Sequence, residues 1–307
     1  MKRLVTRLAA AAAAVLALTA CGGSSDPLSG AGDGSAPAPD DVIRIGSANF
    51  TENQLLAEIY AAALEAEGVQ VEKELNIGSR ETYFPGLQDG SIDLIPEYTG
   101  NLLQYIDEDT TATESQQVYD QVVANLPDGL EVLEMSSAED KDAVVVTRET
   151  ADRLQVRSIA DLAPRCGELV FGGPPEFAER PYGLPGLERL YGCTFASFRS
   201  LDAGGPLTVA ALRDGTIQAA DLFTTDPAIA QNGFVILEDP KQNFAAQNVV
   251  PLINSAKLTD GIREKLNAVS AALDTATLLE LNTTLASPEK PDVAQVAQDW
   301  VAAEGLG

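Results

Sequence analysis

The 307-residue sequence contains no histidine, and this absence excludes several classes of enzyme. Ser-His-Asp and Cys-His nucleophiles need an imidazole base, and the usual zinc sites need imidazole ligands. Catalysis would have to depend on carboxylates, lysine or tyrosine. A carboxylate-pair hydrolase that uses Glu52 or Asp93 with Glu97 stays an alternative, because two carboxyls held across a substrate can hydrolyse glycosides. Acidic residues are frequent enough here for such pairs to arise by chance, and we expect neither catalysis nor a cofactor.

Basic residues are scarce. Lysine and arginine number 20 against 46 aspartates and glutamates, for a formal net charge of −26. Nucleic acids and anionic lipid surfaces repel such a chain, so neither is expected as a partner. The acidic excess does not identify a ligand, because a solvated acidic surface explains it equally well.

The first 20 residues have the parts of a bacterial lipoprotein signal. A cationic start, MKRLVTR, leads into a short alanine-rich apolar stretch, and LTAC fits a lipobox that ends at Cys21. The stretch is too short and too early for a transmembrane span. We predict a signal peptide over residues 1–20, then the lipidated Cys21 and a flexible linker over residues 21–41. The protein would then be extracytoplasmic and anchored to the cell membrane; an ordinary secretory signal or a short membrane anchor is the alternative.

Only three cysteines occur, and two of them remain after Cys21. Cys166 and Cys193 lie about one short strand–helix unit apart, and an exported compartment permits a disulfide between them. Two buried free thiols are the alternative. A metal site is disfavoured, because two cysteines without histidine cannot complete a tetrahedral shell, so no metal is expected.

Strand and helix patterns alternate from residue 42 onward, which is typical of an α/β protein with mainly parallel sheets. Ligands of such sheets bind beyond the carboxyl ends of the strands. The first predicted strands are Val42–Gly46, Val69–Leu75 and Ile92–Ile95, and a second block starts at Ala143. A helical tail is predicted over residues 259–285 and 292–304. The predicted lobes are residues 42–142 with 246–307, and residues 143–245, with crossings near 140–146 and 238–250.

A weak internal repeat relates the two blocks. The segment LQDGSI at Leu87 corresponds to LRDGTI at Leu212 with a constant offset of 125 residues, and the match continues to Tyr98-Thr99 and Phe223-Thr224. Each copy predicts a helix end, an Asp-Gly turn, a buried strand, and then an aromatic ring beside a hydroxyl. Two such strand ends facing each other would form a cleft with one ring on each wall. Chance similarity of common Asp-Gly turns is the alternative.

Several segments resemble the substrate-binding proteins of osmoprotectant ABC transporters, which bind glycine betaine, proline betaine, choline or carnitine. These segments are IGSANFTENQLLAEIYAAALEAEGV, GLQDGSIDLIPEYTG, PEFAERPYGLPGL, ADLFTTDPAI and NVVPLINSAKLTD. The resemblance covers nearly all of residues 42–305. It implies a two-lobed periplasmic-binding-protein fold of type II whose ligand lies between lobes that close by hinge motion. It also implies a small-molecule ligand, an ABC permease as partner, and a monomer.

The resemblance implies an aromatic cage, because a methylated cation has no N–H to donate and is held by cation–π attraction. Tyr98 and Phe223 are the first cage candidates, and Arg180 is suited to clamp a ligand carboxylate. Thr51 has a rival role as the cap of the first helix, in a capping box with Gln54. The full set of candidate ligand contacts is Tyr98, Phe223, Tyr83, Tyr182, Arg180, Asn49, Thr51, Arg80, Glu97, Thr99, Thr224 and Asp226.

Two departures from the family pattern bear on specificity. Many relatives have tyrosine where this chain has Phe223, which keeps a π face but lacks the hydroxyl. Arg80 replaces part of a glycine-rich segment and would repel a cation unless Glu81 or Glu97 neutralises it. Glu97 and Asp226 are expected either to balance a bound cation or to pair with an arginine. A carboxylate, sugar-like or polyphenolic cargo and a purely structural envelope protein are therefore the alternatives to a quaternary ammonium ligand.

Overall fold

The computed structural model describes residues 42–307, so the predicted signal peptide, Cys21 and the linker lie outside the described residues. The strands are β1 (Val42–Ala48), β2 (Gln70–Gly78), β3 (Leu94–Tyr98), β4 (Leu130–Val132), β5 (Asp142–Val146), β6 (Val170–Gly173), β7 (Ser197–Ser200), β8 (Ala219–Phe223), β9 (Val235–Ile236) and β10 (Val249–Asn254). The helices are α1 (Thr51–Ala66), α2 (Arg80–Asp89), α3 (Thr99–Ile106), α4 (Ser115–Asn125), α5 (Arg148–Leu154), α6 (Ile159–Leu162), α7 (Leu184–Tyr191), α8 (Pro206–Arg213), α9 (Pro227–Asn232), α10 (Asp260–Ala272), α11 (Thr275–Leu285) and α12 (Val293–Ala303).

The strands form two five-stranded sheets with the same plan. The first has the order β2-β1-β3-β10-β4, and the second has the order β7-β6-β8-β5-β9. In each sheet one strand runs against both of its neighbours: β10 in the first and β5 in the second. The other neighbouring pairs are parallel. We call the half built on the first sheet lobe 1 and the half built on the second lobe 2; the predicted two-lobed α/β architecture is confirmed.

The internal repeat predicted from the sequence is also confirmed. β3 and β8 are the middle strands of their sheets, and their bounds differ by the same 125-residue offset that the sequence shows. Each follows a helix that ends at an Asp-Gly turn. In the first copy Gly90 ends α2 in the left-handed conformation with φ of 79°, which a side chain would strain. The repeat therefore reflects equivalent positions of two strands.

Apolar residues cover both faces of each sheet. In lobe 1, helix α1 packs against β1 and against the C-terminal helices α10 and α12, and Trp300 of α12 is buried in that core. The helical tail predicted over residues 259–285 is present but interrupted. It is two helices separated at Asp274, whose side chain accepts a hydrogen bond from the backbone N–H of Thr277 and caps the second.

The predicted capping box at the start of α1 is wrong. The residue before the helix is Phe50, which forms no side-chain cap, and Thr51 is exposed as the first helical residue. Glu52 is 6% exposed and points inward instead, because three side-chain donors from other elements bind its carboxylate. Among residues 42–307, no helix is long and apolar enough to cross a membrane.

A disulfide joins Cys166, in the turn after α6, to Cys193, just after α7. The two residues are 27 positions apart. Closing a loop of this size in the unfolded chain contributes about 3 kcal/mol on the chain-entropy model. We predict that Cys193→Ser lowers the free energy of unfolding by about that amount, measured by urea denaturation. Wild-type protein treated with reductant should lose the same amount, and an unchanged midpoint after confirmed reduction would contradict the prediction.

Candidate functional site

Three aromatic rings lie in a row across the gap between the lobes. Tyr98 is the last residue of β3 and Phe223 the last residue of β8, so both stand at carboxyl ends of central strands. The ring of Phe50, which follows β1, lies between them, 5.9 Å from Tyr98 and 4.9 Å from Phe223 between ring centroids. The sequence analysis proposed Asn49 and Thr51 from the segment that follows β1, but missed Phe50 between them. An aromatic residue directly after the first strand was the signal that would have found it.

These rings line a cavity of about 50 Å³ that includes residues of both lobes. Six of the twelve predicted contacts line it: Asn49, Arg80, Tyr83, Tyr98, Arg180 and Phe223. The other lining residues are Ala48, Phe50, Asn53, Ser79, Asn101, Asp140, Asp142, Glu176 and Ala203. Tyr98 and Phe223 thus come from opposite lobes and face one cavity.

Arg80 does not present a free charge to this cavity. Its Nε and Nη2 atoms donate to Glu97 Oε1 and Oε2 at 2.8 and 2.6 Å, and the Tyr83 hydroxyl donates to Glu97 Oε1 at 2.7 Å. Arg80 is 6% exposed and Glu97 is fully buried. Burial lowers the pKa of Arg80, but the charge of Glu97 outweighs that effect and raises it above its ordinary value. Glu97 was predicted either to balance a bound cation or to pair with an arginine, and in the structure it pairs with Arg80.

Arg180 forms the main ion pair between the lobes. Its Nε and Nη2 atoms each donate to a different oxygen of Glu81 at 3.0 Å, and its Nη1 atom donates to the Tyr182 hydroxyl at 2.7 Å. Burial raises the pKa of Glu81, but Arg180 outweighs it and lowers the pKa to about 2. The predicted carboxylate clamp thus has a carboxylate of the protein itself as its partner.

Tyr182 does not line the cavity between the rings. It is 2% exposed and packs in the core of lobe 2, with its ring 6.3 Å from that of Phe177. Its hydroxyl reaches the surface of that core only to accept from Arg180. Its prediction as a cage ring is therefore not supported by its position, because the loop that carries it folds back onto its own lobe.

Three predicted polar contacts also lie outside this cavity. Thr99 is buried and bonds the backbone of the return crossing, accepting from Asn248 N at 3.0 Å. The Thr224 hydroxyl is exposed, accepts from Lys141 N at 2.9 Å and approaches Asp140 at 3.2 Å. Thr51 lines a neighbouring cavity instead. The hydroxyls of Thr99 and Thr224 are therefore engaged in hydrogen bonds with the two chain crossings.

The neighbouring cavity has about 280 Å³ and shares the Phe50 and Phe223 rings with the first. Glu52, Thr225 and Asp226 are among its lining residues. Asp226 caps α9 through one carboxylate oxygen, while its other oxygen is buried without a hydrogen-bond partner. Burial raises the pKa of Asp226 to about 6.

Acidic side chains from the first chain crossing complete the cavity between the rings. Asp142 is 5% exposed and accepts from Asn101 Nδ2 at 2.7 Å, and burial raises its pKa. Asp140 lies beside it, 5% exposed, and burial raises its pKa well above the ordinary value. Both were missed as site residues, although the crossing that carries them was predicted. Aromatic faces next to carboxyls suit an organic cation. In residues 42–307 no cluster of histidine, cysteine and carboxylate side chains is arranged to hold a metal ion.

Comparisons with known proteins agree with this architecture. Residues 41–303 match the family model for the substrate binding domain of ABC-type glycine betaine transport systems. A glycine-betaine-binding protein of Pseudomonas aeruginosa is 30% identical over 293 residues, covering 88% of each chain. The glycine betaine-binding protein YehZ of Escherichia coli is 28% identical over 277 residues, covering 86% of this chain and 90% of YehZ.

Solved structures show the same fold. The structure of apo YehZ from Escherichia coli aligns with a TM-score of 0.60, covering 87% of this chain and all of that one. A glycine betaine/carnitine/choline ABC transporter structure aligns with a TM-score of 0.68 at 19% identity, covering 86% of this chain and 99% of that one. With two lobes, a ring-lined cavity between them and a family match over nearly all of the described chain, this protein belongs to the extracytoplasmic substrate-binding proteins of ABC-type glycine betaine transport systems.

Proposed function

We propose that this protein is a non-catalytic receptor that captures a quaternary ammonium zwitterion, such as glycine betaine, between its lobes and delivers it to an ABC permease. The observation that carries the proposal is the row of three rings, Tyr98, Phe50 and Phe223, across the gap between the lobes. Each desolvated ring contributes up to about 2 kcal/mol to the binding of a methylated cation, so several rings are needed for micromolar affinity.

The charges around the cavity support a cationic head group. The carboxyls of Asp142 and Glu176 line it, and the Arg80 charge is neutralised by its buried partner. A ligand carboxylate would have to compete with Glu81 for Arg180, whose three guanidinium nitrogens all have partners within the protein. Capture of a zwitterion would therefore exchange an ion pair between the lobes for one with the ligand.

Capture requires movement of the lobes. A cavity of about 50 Å³ has room for about four water molecules, which is less than a betaine occupies. We place the hinge at the two crossings, where Glu139 pairs with Asn248 and the backbone N–H of Asp140 donates to Gln247. Lobe 1 then consists of residues 42–142 and 246–307, and lobe 2 of residues 143–245. Rotation about the two crossing segments opens the cavity.

The cellular setting follows from the N-terminal sequence. We propose that Cys21 carries the lipid and that residues 22–41 act as a flexible tether, so that a monomeric receptor stays close to its permease at the outer face of the membrane. Mass spectrometry of the protein purified from membranes should find acyl chains on Cys21.

A ligand screen tests the function. We expect calorimetry to detect glycine betaine, proline betaine or choline at micromolar affinity or better, and Tyr98→Ala and Phe223→Ala each to weaken binding at least about tenfold. Tyr105→Ala is the matched control, because this ring is 36% exposed and lies outside the ring-lined cavity. Wild-type affinity in both ring variants would overturn the cage assignment.

The alternatives are separate arms of the same screen. Binding of a sugar-like, carboxylate or phenolic compound without any betaine would keep the receptor and change its cargo. The hydrolase alternative has little support from the site, because Asp93 lies 3.7 Å from Arg44 and Glu97 is bound by Arg80. Turnover of a glycoside that is lost in Glu97→Gln would revive it.

A further inference from the structure

Glu52 is a buried carboxylate at the boundary between the lobes that the proposed function leaves without a role. It stands in the first turn of α1 in lobe 1. Its Oε1 atom accepts from the Tyr98 hydroxyl at 2.7 Å, and its Oε2 atom accepts from Asn282 Nδ2 and from the Thr225 hydroxyl, each at 2.5 Å. Tyr98 and Asn282 belong to lobe 1, whereas Thr225 follows β8 of lobe 2. One carboxyl group thus bonds a cage ring and the opposite lobe at once.

A second carboxyl completes this arrangement. Asp140, on the first crossing, bonds the same Thr225 of lobe 2 that Glu52 bonds. Its Oδ1 atom accepts from the Thr225 backbone N–H at 3.0 Å and from the Thr224 hydroxyl at 3.2 Å. Two buried carboxylates that meet at one residue repel each other when both are ionised, so one of them is expected to hold a proton. Because Glu52 already accepts three donors, Asp140 is the group that holds it.

We infer that Glu52 is a positioning residue, which with the proton of Asp140 latches Thr225 of lobe 2 to lobe 1 and fixes the Tyr98 ring when the lobes close. The inference rests on the proposed function for the identity of the ligand, whereas the contact between the lobes does not depend on it. Closing takes one proton from solvent onto the carboxyl pair, and opening returns it; no other bond is made or broken.

The surroundings of the pair agree with a shared proton. Burial raises the pKa of Glu52 and, together with the charge of Glu52, that of Asp140. The titratable groups that face the pair from other elements are Tyr98 on β3, Asp226 before α9 and Asp221 on β8. Among residues 42–307, no lysine or arginine forms an ion pair with either carboxyl. No cation is therefore in place to substitute for the proton.

The sign of the pH dependence follows. The pair binds a proton more tightly in the closed state than when its carboxyls are hydrated in the open state. The closed state is therefore most stable relative to the open state at low pH. This stability falls as pH rises through the raised pKa of the pair. Ligand affinity linked to closure should fall by up to about tenfold per pH unit within that window.

Asp140→Asn is the decisive variant. Its amide oxygen can accept from Thr225 and Thr224 as Oδ1 does, and its NH2 group can donate permanently to Glu52. We expect calorimetric titration with glycine betaine between about pH 5 and about pH 8 to show affinity falling with pH in the wild type and constant in Asp140→Asn. Titration in buffers of different ionisation enthalpy should count proton uptake on binding in the wild type and none in the variant.

The matched control removes a different contact between the lobes. Glu81→Gln breaks the ion pair with Arg180, but Glu81 stays ionised over this pH range, since its pKa is about 2. It should leave the pH slope unchanged, whatever its effect on the affinity itself, because it removes both a contact between the lobes and the competitor of a ligand carboxylate for Arg180. Thr225→Val should weaken binding and Thr225→Ser should restore it. A flat wild-type profile, or the same slope in wild type and Asp140→Asn, would overturn the inference.

Small-angle scattering without ligand separates this inference from the proposed function. The wild-type radius of gyration should rise with pH over the same range, and that of Asp140→Asn should stay at the low-pH value. If no betaine binds at any pH but scattering follows this pattern, the cargo is wrong and the latch stands. If betaine binds and the radius of gyration of ligand-free wild type is unaffected by pH, the latch is wrong and the receptor stands.

Discussion

Glu97→Ala should lower the free energy of unfolding by about 3 to 5 kcal/mol, because it leaves the buried charge of Arg80 in lobe 1 without a partner. Glu97 is fully buried and accepts from Arg80 twice, from the Tyr83 hydroxyl, and from the backbone N–H of Tyr98 at 3.0 Å. Removing one partner of a buried pair leaves an uncompensated charge together with unpaired donors, and both are costly in a medium that water does not reach.

Urea denaturation followed by circular dichroism would measure this loss. The double variant Arg80→Met with Glu97→Leu should recover most of it, because a buried ion pair is often replaceable by apolar side chains of similar volume. Glu168→Ala is the surface control: its ion pair with Arg165 is exposed on both sides, so no measurable change is expected. Equal losses of unfolding free energy in the single and double variants would show that lost packing, and not the unpaired charge of Arg80, causes the destabilisation.

Phe50→Ala should weaken glycine betaine binding by about thirtyfold, which corresponds to about 2 kcal/mol. Its ring contacts both Tyr98 of lobe 1 and Phe223 of lobe 2, so its removal takes away one face of the cage and the support of the other two. The effect should therefore exceed that of either outer ring. Calorimetry on the purified protein would measure it.

Two companion variants separate aromatic character from bulk. Phe50→Leu keeps an apolar side chain of comparable size but has no π face, and should bind almost as weakly as Phe50→Ala. Phe50→Tyr should bind like the wild type. If Phe50→Leu retains wild-type affinity, the residue acts through packing, and the cation–π basis of the proposed site fails.

Local patterns predicted the strands well and the helix boundaries less well. The Asp-Gly turns and the run of buried residues after them located β3 and β8, because a strand buried on both faces has a continuous apolar sequence. The helical tail over residues 259–285 was predicted without its interruption, and the apolar Leu273 lies just before that break. Asp274 divides it by capping the second helix, and a cap depends on backbone geometry that hydrophobic periodicity does not report.

The candidate site was predicted only in part for a similar reason. The internal repeat and the family resemblance pointed to Tyr98 and Phe223, and the resemblance to Arg180, but neither showed which neighbour each would meet. Arg80 pairs with Glu97, 17 residues away, and Arg180 pairs with Glu81, 99 residues away. Such partners are chosen by how the two lobes approach each other, and no local sequence pattern encodes that distance.

The sequence by itself determined the two α/β blocks, their repeat and the family, because these depend on local periodicity, composition and short motifs. The tertiary structure alone decided that Phe50 lies between the outer rings, that Glu97 neutralises Arg80, and that Glu52 and Asp140 both bond Thr225. The physical reason is burial: a carboxyl or a ring acquires its chemistry from the side chains that replace its water, and those come from segments far apart in the chain.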